Sequence, residues 1–322
     1  MKKLNLLLLL IFHLVVISGV AQTKAILKIN HKLGADDFAL DYEVQNNLGN
    51  IFKYTRFQYY LTKFSIVHDG NQITTIDDSV VSLVNAADGP STLVDLGDVT
   101  ITNVEAIVFH VGVHQPVNNA DPSLQPITSP LAPQIPSMHW GWASGYRFAA
   151  IEGLGGSAFT LQFQIHALGN DNYFKTMVVP QSTNLINDSL YIHLNADYLE
   201  AVRNIDVSNG LYAHGNLGDA KVCLQNFKHY VFGQTYVGAD NDDAGSFVSV
   251  YPVPSDNKWV TIETGDLPDN FNVEIYNTAG SLINTVSTPG SNKMNIQFED
   301  SGVYSVRIIC GNRTINKKVI LL

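Results

Sequence analysis

Between Phe159 and His166 apolar and polar side chains alternate without a break: Phe159, Leu161, Phe163 and Ile165 fall on one face, Thr160, Gln162, Gln164 and His166 on the other. A period of two marks a half-buried β-strand, and no helix sorts these residues onto one face. Leu190, Ile192 and Leu194 repeat the pattern with His193 opposite, and Ala25, Leu27 and Ile29 give an opening strand its apolar face. Asp69-Gly70, between strands over Tyr59–Val67 and Gln72–Ile76, is a hairpin signal. Residues 105–113 are almost continuously apolar, as expected of a central strand. Two helices are expected, a short one over 196–204 and one over 217–231, where Leu217, Ala220, Leu224, Phe227 and Val231 recur at helical spacing before Gly233. The fold class is therefore all-β: a mainly antiparallel β-sandwich with one or two short helices, then a small C-terminal immunoglobulin-like β-sandwich.

Six of the twelve prolines lie between residues 115 and 137. Proline removes a backbone donor and fixes φ, so this stretch is neither helix nor central strand. Loops of this length are usually functional or disordered. This one runs into Met138-His139-Trp140-Gly141-Trp142, an aromatic cluster that argues for an ordered end.

Punctuation divides the rest. Lys2-Lys3, an apolar run over 6–17 and Gly19-Val20-Ala21 read as a signal peptide over 1–21. The run is short of the ~20 residues a span needs, so a retained anchor is the weaker alternative and the mature chain is expected to carry none. The body is assigned to 22–237 and a small acidic linker to 238–246. The linker loosely resembles a calcium loop but lacks the twelve-residue pattern and its terminal Glu. The final domain covers 247–322, with alternating Val260/Ile262, Val273/Ile275 and Val306/Ile308 and turns at Thr278–Ser281 and Gly311-Asn312.

The formal charge of −10 is concentrated in residues 22–246, which hold 11 basic and 22 acidic side chains. Such a surface repels polyanions and disfavours nucleic acid as a partner. Cys223 and Cys310, the only cysteines, fall in different domains and are read as buried or free, and two thiols exclude a thiolate cluster. No G-x-S-x-G, H-E-x-x-H or paired carboxylates for acid–base work are found, and Gly153-Leu154-Gly155-Gly156 precedes a strand rather than a phosphate-binding helix. The expectation is a binding protein, not an enzyme.

Two resemblances sharpen this. Tyr251-Pro252-Val253-Pro254, Ile275–Gly280, Gly302–Val306 and Lys317-Lys318-Val319-Ile320 occur in the order and spacing of the type A sorting domain of type IX secretion, with Val253 where Asn is usual. That resemblance implies the type IX secretion machinery as a partner and passage through the periplasm to the cell surface or the extracellular space. The body resembles the MbnP-like family through Asn30-His31, Phe57–Phe64, Gly112-Val113, Asn118, Met138–Phe148, Ile151-Glu152-Gly153, His166 before Leu168-Gly169, and Asn226. It departs at His139, where another aromatic is usual, and at His114, where an acid is expected.

The second resemblance implies copper held by histidines and by a kynurenine that a partner MauG-like dihaem peroxidase makes from tryptophan. Indole is a poor ligand because its nitrogen lone pair belongs to the ring, whereas ring opening frees an aryl amine, and neutral imidazole suits copper. The candidate kynurenine precursors are Trp140 and Trp142. The candidate metal ligands are His31, His166 and His139, with His214 behind them. Hydrogen-bonded strand histidines, a helix-start role for His214 and an aromatic clamp for the tryptophans are the alternatives. The other class of function is a surface structural or interaction protein of the same fold without a metal site.

Overall fold

The structure is a computed structural model and describes residues 22–70, 72–232, 249–263, 271–288, 293–310 and 313–322. The expected signal peptide, the 238–246 linker and the Gly311-Asn312 turn lie outside the described residues.

Two sheets build the body. In the first, Thr23–Leu33 lies between Ser189–Asp197, its parallel neighbour, and Ser91–Val99, its antiparallel one; Ser182–Ile186 adds an edge. The second is organised on Ile51–His68. Its first half pairs with Ala149–Gly155 and its second half with Val104–Val111. The sheet continues through Leu161–Ala167 to Leu211–Gly215 on one side and through Val104–Val111 to Lys175–Val178 on the other. Asp69 and Gly70 take positive φ at the turn into Gln72–Thr75, as the hairpin signal requires.

The alternating faces meet in one core. Ala25, Leu27, Ile29, Ile192 and Leu194 of the first sheet are sealed against Phe52, Tyr54, Phe57, Tyr59, Phe163 and Ile165 of the second. Each of the leucine, isoleucine and phenylalanine side chains contributes roughly 1.5–3 kcal/mol on burial. The aromatics pack edge-on or tilted, as in Tyr54–Phe57 at 5.1 Å.

The helices needed correction. Over 196–204 the strand persists to Asp197 and only one 3₁₀ turn, Glu200–Val202, follows; Asp197 caps that corner through Leu199 N rather than opening a helix. The second helix is α from Gly218 to Asn226 and widens to a π turn over Phe227–Val231. Cys223 is buried on it as a free thiol, its pKa pushed up by desolvation; the Cys310 side chain lies outside the description.

The C-terminal domain packs Ser249–Tyr251, Trp259–Glu263 and Lys293–Gln297 against Leu282–Thr288, Phe271–Tyr276, Gly302–Cys310 and Arg313–Leu321. The expected inward pairs, Val260/Ile262, Val273/Ile275 and Val306/Ile308, are all buried. Asn277 closes the Thr278–Ser281 turn, where Gly280 takes φ of 77°. No helix among the described residues is long and apolar enough to cross a membrane.

Candidate metal centre

The site is assembled where four strands of the second sheet lie side by side. Arg56 and Glu152 are cross-strand partners, and His166 and His214 are partners in the parallel pair beyond. Alternation turns their side chains away from the core, yet His166 is buried, while His214 on the outermost strand stays exposed. A hairpin at the end of the proline-rich loop folds over them, with Trp140 N bonded to Gly145 O and Arg147 N to Met138 O. Asn118 holds this hairpin: its Oδ1 accepts from Tyr146 N at 2.9 Å and its Nδ2 donates to Asn170. Gly145 has φ of 73°, and a Cβ there would lie 2.6 Å from the Asn118 oxygens, so the turn requires glycine. Tyr60 and Tyr146 donate to the carbonyls of Pro130 and Leu131, and Arg56 and Arg147 to that of Ser137, which fixes the loop.

Trp140 is the lid. Its ring meets His166 at 5.3 Å and His214 at 4.9 Å, both edge-on, and the Arg147 guanidinium lies over it at 4.3 Å. The two imidazoles are stacked, with centroids 4.5 Å apart and 7° between planes. His166 is buried; its Nε2 lies 2.9 Å from Glu152 Oε1, which also accepts from Arg56 Nη1 at 2.8 Å. These partners, His166 first and then Arg56, hold the Glu152 carboxyl down to about 2. An ionised carboxylate only accepts, so Nε2 carries a proton and the neutral ring has its lone pair at Nδ1, an atom that is buried with no hydrogen-bond partner among the described residues. A histidine anchored through one nitrogen to a carboxylate and bare at the other is the usual arrangement behind a metal-ligating imidazole. His214 is exposed and makes no ring hydrogen bond among the described residues, and desolvation lowers its pKa from the ordinary 6.5.

The other sequence candidates lie apart from this cluster. His31 is on the first sheet, buried, with Nδ1 2.6 Å from Tyr198 Oη and Nε2 3.0 Å from Thr92 Oγ1; both nitrogens are occupied, and desolvation lowers its pKa to about 4. His139 is beside Trp140 in sequence, but its Nδ1 accepts from Gly141 N at 3.2 Å and its ring meets Tyr146 at 4.8 Å. With Nδ1 so used, the proton sits on Nε2, which is buried without a partner. Trp142 is 77 % exposed at the hairpin tip, and its carbonyl accepts from Asn119 Nδ2 at 2.7 Å. Among the described residues no group of three or more His, Cys, Asp or Glu could hold a metal ion.

Sequence reasoning quoted Glu152 without giving it a role and did not single out Arg56 or Arg147. The signal was available for Glu152, since alternation places it and His166 on the same non-core face of neighbouring strands.

Comparison with known proteins matches two family models along the chain. The family model MbnP matches residues 22–225, and the model described as secretion system C-terminal sorting domain matches 249–322. Among solved structures, MbnP from Methylosinus trichosporium is similar at 16% identity and a TM-score of 0.41, covering 62% of this chain and 83% of that one. Dimeric latent PorU from Porphyromonas gingivalis is similar at 10% identity and a TM-score of 0.21, covering 93% of this chain and 34% of that one; the chain thus spans about a third of that protein. No curated protein matches by sequence.

Proposed function

The chain belongs to the MbnP family, and from that premise we propose that its body binds copper, with His166 and His214 as protein ligands and Trp140 as the residue that a partner dihaem peroxidase converts to kynurenine. The sorting domain at 249–322 makes it an exported protein of the cell surface or extracellular space that engages the secretion machinery. The copper reading rests most heavily on one observation: the buried, unpartnered Nδ1 of His166, made a lone pair by the Glu152 contact behind it.

The remaining parts fit around that atom. Copper, when bound, supplies an electron-accepting centre for neutral nitrogen donors. Parallel rings 4.5 Å apart do not aim two lone pairs at one point, so one imidazole must turn. His214, exposed and without a ring hydrogen bond, is free to do so; His166, fixed by Glu152, is not. Two imidazoles make an incomplete donor set, and the third donor would be the aryl amine released from Trp140. Trp140 is favoured over Trp142 because only its ring touches both histidines.

The second reading, a surface interaction protein without a metal, draws on the absence of a three-residue ligand group among the described residues and on the loop's exposed Leu124, Ile127, Ile135 and Trp142. Producing the protein with and without a dihaem peroxidase separates the two. The copper reading expects metal retention only after co-production, lost in Trp140→Phe and His166→Ala but kept in Trp142→Phe and His139→Gln. Equal, weak copper uptake in all of these would support the second reading.

A further inference from the structure

Along Val104–Val111 burial does not alternate, and the failure is informative. Residues 106–109 are buried on both faces of the sheet. Ile107 and Phe109 point into the body core, as the central-strand expectation requires. Ala106 and Val108 point the other way, where a two-layer sandwich has only solvent. The neighbouring strands do the same: Val178 joins the body core, whereas Met177 faces outward. Register places these outward residues together. Val67 is opposite Ala106 and Met177 is opposite Val108, so the four make one apolar patch across three strands. All four are at most 7 % exposed, although the body supplies no layer to cover them.

The C-terminal domain covers them. Val67, Ala106, Val108 and Met177 belong to one hydrophobic cluster with its core, and Val179 packs at the margin. A polar rim accompanies the patch. Lys228, at the end of the body's helix, pairs with Asp256 at 2.6 Å, and His229 Nδ1 is 3.4 Å from Val253 O. The patch itself carries no charge and the rim pairs opposite charges, the usual composition of a specific interface.

We propose that this patch is a docking site for the chain's own C-terminal domain: the sorting domain is carried folded against the body and is held there by surface contact, independently of the covalent connection. The choice of occupant rests on the shared cluster, on the Lys228–Asp256 pair and on the apolar outer face, which is legible in the sequence without reference to the second domain. The consequence is that the body acquires a hydrophobic face only when the sorting domain leaves.

The test uses the full chain with a sequence-specific protease site placed between residues 238 and 246. After complete cutting, the two fragments are expected to co-elute in gel filtration and to bind little hydrophobic dye. Val108→Lys with Met177→Lys places two cations in the patch; because these positions lie on the outer face, the body is expected to keep its tryptophan emission while the fragments separate. Lys228→Glu is expected to weaken co-elution several-fold and Lys228→Glu with Asp256→Lys to restore it. Separation of the unmutated fragments, with the body still folded and its dye binding unchanged, would overturn the proposal.

Discussion

His166 and Glu152 are joined by a 2.9 Å contact between Nε2 and Oε1, and this contact decides which nitrogen of the imidazole remains available. The donor is not an isolated feature of one strand. It depends on a carboxylate from the neighbouring strand, and that carboxylate is set in turn by Arg56 from the strand beyond.

On the copper proposal, replacing Glu152 by Gln acts on the metal rather than on the fold alone. The amide can hold either tautomer of His166, so the lone pair at Nδ1 is no longer enforced. Copper affinity is expected to fall roughly 10–100-fold, the usual cost of losing such a partner, while the far-ultraviolet spectrum stays unchanged. Competition titration against a chromophoric copper chelator measures this.

His31 supplies a pH prediction with a defined sign. Its pKa is lowered from the ordinary 6.5 to about 4, so the unfolded chain binds the proton first. The stability this neutral histidine contributes is complete above pH 6.5 and is lost as pH falls toward 4. His110, also lowered to about 4, acts in the same window. Urea midpoints between pH 7 and 4 should fall less steeply in His31→Gln than in the unmutated protein. At pH 7 that variant should be less stable by about 1–3 kcal/mol, because Tyr198 and Thr92 lose a partner.

Gly145→Ala tests the hairpin over the site. The new Cβ meets the Asn118 carbonyl and side chain while the backbone holds a positive φ. A cost of roughly 1–3 kcal/mol is expected. Because Trp140 N bonds to Gly145 O, altered tryptophan emission should accompany it. Thermal unfolding followed by fluorescence and by circular dichroism reads both.

The division between what sequence revealed and what it hid follows from the range of the interactions. Alternation placed Phe163 and Ile165 in the core because a strand's own period decides both, but it reached too far back: the strand begins at Leu161, which is exposed, and Phe159 lies in the preceding turn with φ of 51°. His31 shares the period of its strand, and nothing local distinguishes a histidine bonded to Tyr198, 167 residues away, from one awaiting a metal. The 196–204 segment has helical spacing, but its strand's parallel pairing with Thr23–Leu33 extends to Asp197 and leaves room for one turn. His214 gained its place only when the parallel strand pair put it opposite His166. The family resemblance supplied the expectation of copper; the choice between tryptophans came from contacts, since Trp140 and Trp142 share one short motif and differ in what folds against them.

The most direct test of the account is the state of Trp140 in protein purified from its native source. Peptide mass analysis of the segment spanning Met138–Arg147, together with metal content of the intact protein, should find Trp140 converted to kynurenine, Trp142 intact and copper bound. Two unmodified tryptophans in a copper-free protein would contradict it.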